Sequence, residues 1–352
     1  MQGNLVKAIG LMSGTSLDGV DLVCVMFDKN NIEKFEIIHS ETVKYSIDWE
    51  VKLREGIYKN KQELIILDDE YSILLSEMIL KFISKHQISN IDFIASHGHT
   101  ILHKPEEGYT LQIGNGKIIS KNTNQKVICD FRTQDVKFGG QGAPLVPIGD
   151  ALLFSQYDAC LNLGGFANVS YESDNKRIAF DICPVNIVLN YYVRKIGFDY
   201  DDKGIMASNG NVNQELLNCL NELPFYKKEH PKSLGLEWVQ EQIFPLIDSF
   251  ELSVTTILRT FIEHIANQIA ISLKGRKEVL ISGGGVFNLF LMSRISFLST
   301  AMIIVPSAEV INYKEALIFA FLGLLRVDNQ VNCLSSVTGA SKDHSSGQIF
   351  IP

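Results

Sequence analysis

Apolar residues recur along this chain at two periods, and the alternation between them outlines the elements. Lys7-Ala-Ile-Gly-Leu-Met12 and Val20-Asp-Leu-Val-Cys-Val-Met-Phe27 are β-rich runs on either side of Ser13-Gly-Thr-Ser-Leu-Asp-Gly19. That turn of Gly, Ser, Thr and Asp predicts a hairpin, and a third strand is expected at 35–42. Over 63–86, Leu64, Leu67, Leu74, Leu75, Met78 and Phe82 repeat at helical spacing. A short buried strand at 91–96 runs into His97-Gly-His-Thr100. After Gly139-Gly-Gln-Gly-Ala-Pro-Leu-Val-Pro147 the opening pattern returns: a strand at 158–163, a Gly164-Gly165 turn and a second strand at 166–171. The run Ile178-Ala-Phe180 reads as a strand that delivers Asp181. An amphipathic helix is expected over 255–274, where Ile257, Phe261, Ile265 and Ile269 share a face. A strand at 278–281 enters Ser282-Gly-Gly-Gly285, with a helix expected to begin near Val286. A last apolar helix is expected at 315–325. Strands alternating with helices give an α/β class.

Composition narrows the function classes. The chain has 352 residues, 46% hydrophobic and 20% charged, with a net charge of −8. It can fill sizeable cores, and its mildly acidic balance disfavours a general nucleic-acid or anionic-membrane binder. The longest apolar run, 316–325, falls short of the roughly 20 residues of a spanning helix, and the run 289–306 is broken by Arg294. No basic start with an apolar stretch behind it marks a secretion signal, so a soluble, cytoplasmic protein is expected. Cys24, Cys129, Cys160, Cys183, Cys219 and Cys333 form no C-x-x-C pair, which excludes a zinc ribbon and predicts reduced, mostly buried, non-catalytic thiols.

The chemistry concentrates in turns. Neither G-x-x-x-x-G-K-[ST] nor a strand-borne G-x-G-x-x-G is present. Three glycine-rich turns remain, each at a strand end: Gly14 to Gly19, Gly164-Gly165 and Gly283-Gly284-Gly285. Glycine lets backbone N–H groups wrap an anion, and the third turn would add a helix N-terminus. Glycine marks an ordinary turn more often than an anion nest, so each alone is weak evidence; the three in this order favour a nucleotide cleft. Asp18 and Asp21 would repel phosphate unless a cation intervened, so Asp18 suggests Mg²⁺; a turn-capping carboxylate is the plain alternative. His97, His99 and His103 invite a metal reading, but no Cys or carboxylate nearby completes a site. His103 and His344 are expected at the surface, Phe131 and Tyr109 in packing. Arg132 suits a planar carboxylate or, equally, a domain-bridging ion pair.

Ser13-Gly-Thr-Ser-Leu-Asp-Gly-Val-Asp21 resembles the signature of the anhydro-N-acetylmuramic acid kinases. Further blocks agree along almost the whole chain: Ser96-His-Gly-His-Thr100, Asp130-Phe-Arg132, the segment 139–147, 162–168, Lys232-Ser233, 282–288, 315–320 and Ser335-Ser-Val-Thr-Gly-Ala340. The resemblance implies two related actin-like (ribonuclease-H-like) α/β domains flanking an ATP cleft. The first would hold 1–130 plus about 326–352, the second 131–325, with a hinge near 139–147 and another before the C-terminal helix.

The implied activity is ATP-dependent opening of 1,6-anhydro-N-acetylmuramic acid by water with phosphorylation of O6, giving N-acetylmuramic acid 6-phosphate. Implied partners are the anhydro amino sugar, ATP and Mg²⁺, with no nucleic acid or membrane and a homodimer left open. The family's base is the Asp of Phe-Asp-Thr-Gly-Pro-Gly-Asn, here Phe180-Asp181-Ile182-Cys183-Pro184-Val185-Asn186. The carboxylate, proline and asparagine persist while one threonine and two glycines are replaced. Glu315 matches a second family carboxylate, or else a helix-start glutamate favoured by the dipole. ATP would be held by Gly14, Thr15, Ser16, Leu17, Asp18, Gly19, Val20, Asp21, Gly164, Gly165, Asn168, Gly283, Gly284, Gly285 and Asn288. The sugar would be held by His97, Thr100, Arg132, Gly142 and Asn186. An actin-fold ATPase or chaperone-like module, or a kinase for another sugar, would keep the ATP parts and drop or change the sugar side.

Overall fold

The computed structural model describes residues 4–14 and 17–352. Strands β1 (Leu5–Ser13), β2 (Val20–Asp28) and β3 (Phe35–Val43) form an antiparallel meander, with Met12 opposite Asp21 at the turn. β4 (Phe93–Lys104) joins parallel to β1, β5 (Tyr109–Ile113) folds back on β4, and β6 (Val127–Cys129) joins parallel to β4. β1 is nearly all buried because it is a central strand covered on both faces. The helix Lys61–Lys85 supplies one cover: a capping box of Asn60 and Glu63 starts it, and Leu67, Tyr71, Leu75, Ile79 and Phe82 join the core of Ile9, Leu11, Leu22 and Ile94. The helix Ala308–Val327 supplies another, every residue from Ala316 to Leu322 being almost wholly buried. Its closeness to β1 requires Gly10, where a Cβ would run into the Ala316 carbonyl.

The second sheet repeats the plan. β7 (Ala159–Leu163), β8 (Phe166–Ser173) and β9 (Lys176–Pro184) form an antiparallel meander. β10 (Glu278–Ser282) joins parallel to β7, and β11 (Met302–Ile304) joins parallel to β10. Orders β3-β2-β1-β4-β6 and β9-β8-β7-β10-β11 are therefore the same, with the same senses. The first sheet alone gains an edge strand from the chain's end, β12 (Gln348–Phe350), antiparallel to β6. The helix Val254–Ser272 packs its Leu258, Phe261, Ile265 and Ile269 into the second core with Leu161, Val169 and Ile281.

The chain divides into two compact units, Met1–Ser155 with Tyr313–Pro352, and Gln156–Asn312. The borders fall at 155/156 and 312/313, where the sequence suggested 130/131 and about 325/326. Helix Val146–Leu153 explains the first shift, since Gly149 lies tight against Ile318 and Asp150 pairs with Lys314 at 2.7 Å, all within the first unit. Three expected boundaries also move. A 3₁₀ turn, Gly284–Phe287, precedes the helix Leu289–Leu298, so that helix starts after Asn288 and not near Val286. The helix expected at 315–325 begins at Ala308, seven residues before Glu315, which removes the helix-start reading of that carboxylate. β9 runs through Pro184, so Asp181 lies within a strand. His344, expected at the surface, is buried beside Asp135, and Tyr109, expected in packing, is exposed. All six cysteines are free thiols, and among the described residues no helix is long and apolar enough to cross a membrane.

Candidate functional site

Candidate residues fall into two sets, one in each unit. In the first unit the turn after β1 carries Gly14, Leu17, Asp18 and Gly19, and the start of β2 carries Val20 and Asp21; Thr15 and Ser16 lie outside the described residues. Leu17 has φ 60° and Gly19 φ 146°, where a Cβ would strike the Val43 carbonyl. Asp18 is exposed, whereas Asp21 is half-buried and accepts the Thr42 hydroxyl at 2.6 Å. Burial raises the Asp21 carboxyl above the usual range, and the charge of Asp18 raises it further. Two neighbouring carboxylates at a glycine turn suit a hard, oxygen-loving cation.

Beside it, β4 presents two buried histidines with different partners. His97 donates from Nδ1 to the Gly98 carbonyl at 2.9 Å and accepts Arg132 Nε at its Nε2, also 2.9 Å. Burial and the guanidinium hold His97 far below its ordinary value, hence neutral. Arg132 Nη1 donates to the Gly142 carbonyl at 2.6 Å. Burial lowers Arg132 to about 10, with the Glu315 charge opposing the fall, so it stays cationic near neutrality. Gly142, at φ 67°, donates its N–H to Asp135 Oδ2 at 2.7 Å. His97, Arg132 and Gly142 thus form one hydrogen-bonded chain. Thr100 belongs to the same strand, its hydroxyl accepting Gln112 Nε2 at 3.3 Å. His99 is tied instead to Ser13 Oγ at 2.8 Å, and Ser13 meets Tyr45, which meets Tyr71. With both histidines engaged by protein groups, the His97–His99–His103 metal reading finds no support.

Glu315 is exposed to solvent, yet protein crowds close enough around it to desolvate its carboxyl. Desolvation there raises its carboxyl; Arg132 and Lys314 pull the other way, and Asp21 and Asp150 add to the rise.

In the second unit Asp181 stands opposite Asn168 in the β8–β9 register. It is half-buried, and its Oδ2 accepts the Leu234 N–H at 2.8 Å. Its backbone N–H donates to the Lys232 carbonyl at 3.1 Å, so the segment around 232–234 clamps it. Burial raises the carboxyl above the usual range, and the Leu234 N–H only partly offsets that. The three departures from the family motif, Ile182, Cys183 and Val185, are buried in the second core, and Cys183 lies close enough to Asp181 and Lys232 for their charges to act on its thiol. Val185 and Asn186 donate their N–H groups to the Gly165 and Gly164 carbonyls at 2.8 and 3.3 Å. The Gly164-Gly165 turn is therefore stitched to the start of helix Asn186–Arg194.

Gly283 and Gly285 are glycines for a steric reason. A Cβ at Gly283 would meet Asn162 and the Leu163 carbonyl, and one at Gly285 would meet the Leu163 side chain, whereas Gly284 faces open space. Asn288 is committed as a cap, its Oδ1 accepting the Leu291 N–H at 2.9 Å. Sequence reasoning missed the Leu234 clamp, the Ser13–His99–Tyr45 network and the Lys314–Asp150 pair. Ser13, His99 and Lys232-Ser233 lay in blocks shared with the family and Lys314 beside Glu315, but nothing in the sequence paired them with Tyr45, Asp181 or Asp150.

A family model described as anhydro-N-acetylmuramic acid kinase matches residues 6–352. The chain is 34% identical over 381 residues to the anhydro-N-acetylmuramic acid kinase of Haemophilus influenzae, covering 97% of each. It is 34% identical over 382 residues to that of Crocosphaera subtropica, covering 98% of each, and 35% over 357 to that of Shewanella denitrificans, covering 95% of each. Among solved structures, the activator of the 2-hydroxyisocaproyl-CoA dehydratase from Clostridium difficile superposes with a TM-score of 0.46 at 13% identity, over 92% of this chain and 97% of that one.

Proposed function

Because the chain belongs to the anhydro-N-acetylmuramic acid kinase family, and is thereby a phosphotransferase that transfers from ATP to an alcohol group, we propose that it opens 1,6-anhydro-N-acetylmuramic acid with water and phosphorylates O6, giving N-acetylmuramic acid 6-phosphate. The observation that carries this reading is Asp181. One carboxylate oxygen is fixed by the Leu234 N–H, and burial raises the group's proton affinity. A fixed carboxylate of raised basicity is what deprotonation of water at an anomeric carbon calls for. As the anhydro bond breaks, O6 gains the electron pair that attacks the γ-phosphorus.

On the sugar side, the chain His97–Arg132–Gly142 offers a neutral imidazole and a cation whose remaining donors suit the lactyl carboxylate. Thr100 and Asn186 add neutral polar groups. Glu315, with its raised carboxyl, is the second catalytic carboxylate. The three glycine turns, with Asn168 and Asn288, hold ATP. The carboxylate pair Asp18 and Asp21 fits Mg²⁺, with Asp18 as the ligand. When bound, the ion neutralises charge on the transferring phosphoryl group.

Incubation with ATP, Mg²⁺ and the anhydro sugar, followed by mass analysis, tests the proposal. The product must gain both a phosphoryl group and water. A gain of phosphoryl alone, or phosphorylation of ordinary hexoses in preference, would replace it with the reading of a kinase for another sugar.

A further inference from the structure

The first unit contains a buried cluster that the kinase chemistry does not use. Cys333 and His344 face each other on an antiparallel bridge, each donating its backbone N–H to the other's carbonyl at 3.1 Å. Asp135, on the short helix Thr133–Lys137, reaches the same point. Its Oδ1 accepts Cys333 Sγ at 3.1 Å and Thr338 Oγ1 at 2.8 Å, with His344 Nε2 at 3.6 Å. The three ligand atoms lie within 4.8 Å of one another, and all three residues are buried. Among the described residues this is the single such group.

The histidine is the telling member. Its Nδ1 lies 3.1 Å from the Lys342 carbonyl, which can only accept, so Nδ1 carries the proton. In the neutral ring Nε2 then bears a lone pair, and it has no hydrogen-bond partner among the described residues although His344 is only 6% exposed. A lone pair aimed at a carboxylate oxygen is repelled unless something positive lies between them. An Nδ1–H held by a backbone carbonyl, with Nε2 presented, is also how metal-binding imidazoles are oriented.

We propose that Asp135, Cys333 and His344 bind a zinc ion that pins the chain's C-terminal segment to the Arg132–Gly142 block. Zinc bonds of about 2.3 Å to sulfur and about 2.0–2.2 Å to nitrogen and oxygen make tetrahedral edges of roughly 3.4–3.6 Å. The S–O and N–O separations of 3.1 and 3.6 Å bracket that range. Binding replaces the S–H bond by a Zn–S bond and releases the thiol proton to water. Thiolate and carboxylate then balance the ion's two charges, and a water completes the fourth position. Without the ion, burial and the neighbouring carboxylate keep the Cys333 thiol strongly protonated. The ion's role is structural: Asp135 Oδ2 holds the Gly142 N–H, and the Gly142 carbonyl holds Arg132. The site stands whatever sugar the enzyme accepts.

The test uses the untagged full-length protein, stripped with chelator and titrated with Co²⁺ and then Zn²⁺. One equivalent of Co²⁺ should give a thiolate-to-metal charge-transfer band that Zn²⁺ abolishes, and Zn²⁺ should raise the thermal midpoint. Cys333→Ala and His344→Gln, verified as folded by circular dichroism, should lose both the band and the shift. Absence of the band in the wild-type protein overturns the proposal without recourse to a variant. Persistence of the band in Cys333→Ala overturns it equally, because the thiolate would then lie elsewhere.

Discussion

Asp181 and Glu315 are both carboxylates whose surroundings raise proton affinity, and their difference lies in what holds them. Asp181 is fixed by a backbone donor 53 residues away, and Glu315 is balanced between cations and acids. Asp181→Asn keeps the shape and removes the basic oxygen, so ring opening and phosphorylation should fall together by at least ~10²-fold while ATP binding persists; coupled product assays and nucleotide titration check this. Since a base must be ionised and this one is raised, the acidic limb of the wild-type kcat/KM profile should lie above the usual carboxylate range. Asp181→Asn should lose that limb. Cys183 lies wholly in the second core, so Cys183→Ala should stay fully active and lose about 1 kcal/mol in urea unfolding. Asp181 was legible because a family motif surrounds it. Its clamp was not, since a backbone N–H contributed by Leu234 leaves no side-chain signature in a sequence.

At the scale of elements, the glycine turns separate into steric and open positions. Gly283, at φ 87° and packed against the end of β7, cannot take a Cβ without both strain and collision. Gly283→Ala should cost at least about 2 kcal/mol. Gly284→Ala should change stability by less than about 0.5 kcal/mol, yet weaken ATP binding if that turn wraps phosphate. Thermal unfolding and nucleotide affinity measured on both variants separate the two roles. The hairpins, the long helices and the α/β class were readable because periodicity and glycine turns are local signals. The helix after Gly285 started late because Asn288, a capping residue, outweighs the apolar Val286 and Phe287 that precede it. The length of β9 was hidden because Asp181 and Pro184 look like loop residues when read alone.

Across the whole molecule, both units bury histidines in the neutral state, His97 and His99 in the first and His264 in the second. Burial lowers His99 in the first unit to about 4 and His264 in the second to about 3, from an ordinary 6.5. His264 is held by Asn221 and Tyr226. Between about pH 6.5 and 4 the unfolded chain binds a proton at each site that the folded chain does not. The part of the stability that depends on these histidines should therefore be fully present above about pH 6.5 and fall on acidification, by roughly 1.4 kcal/mol per pH unit for each histidine. Urea midpoints across that range check the slope, and His264→Gln should flatten it. Unit borders escaped the sequence because Gly149 and Asp150, in a helix beyond the glycine-rich segment, belong with residues near 314–318. That interleaving sets an order of events on the ribosome. The second unit, one unbroken stretch of chain, can complete its sheet as soon as Asn312 has emerged. The first cannot, because most of the helix that covers β1, and the edge strand β12, follow the second unit in the chain. Residues 4–155 must wait for 313–352, so a chain terminated soon after Asn312 carries a finished second unit and an unfinished, apolar first one, which is a ready substrate for chaperones and proteases.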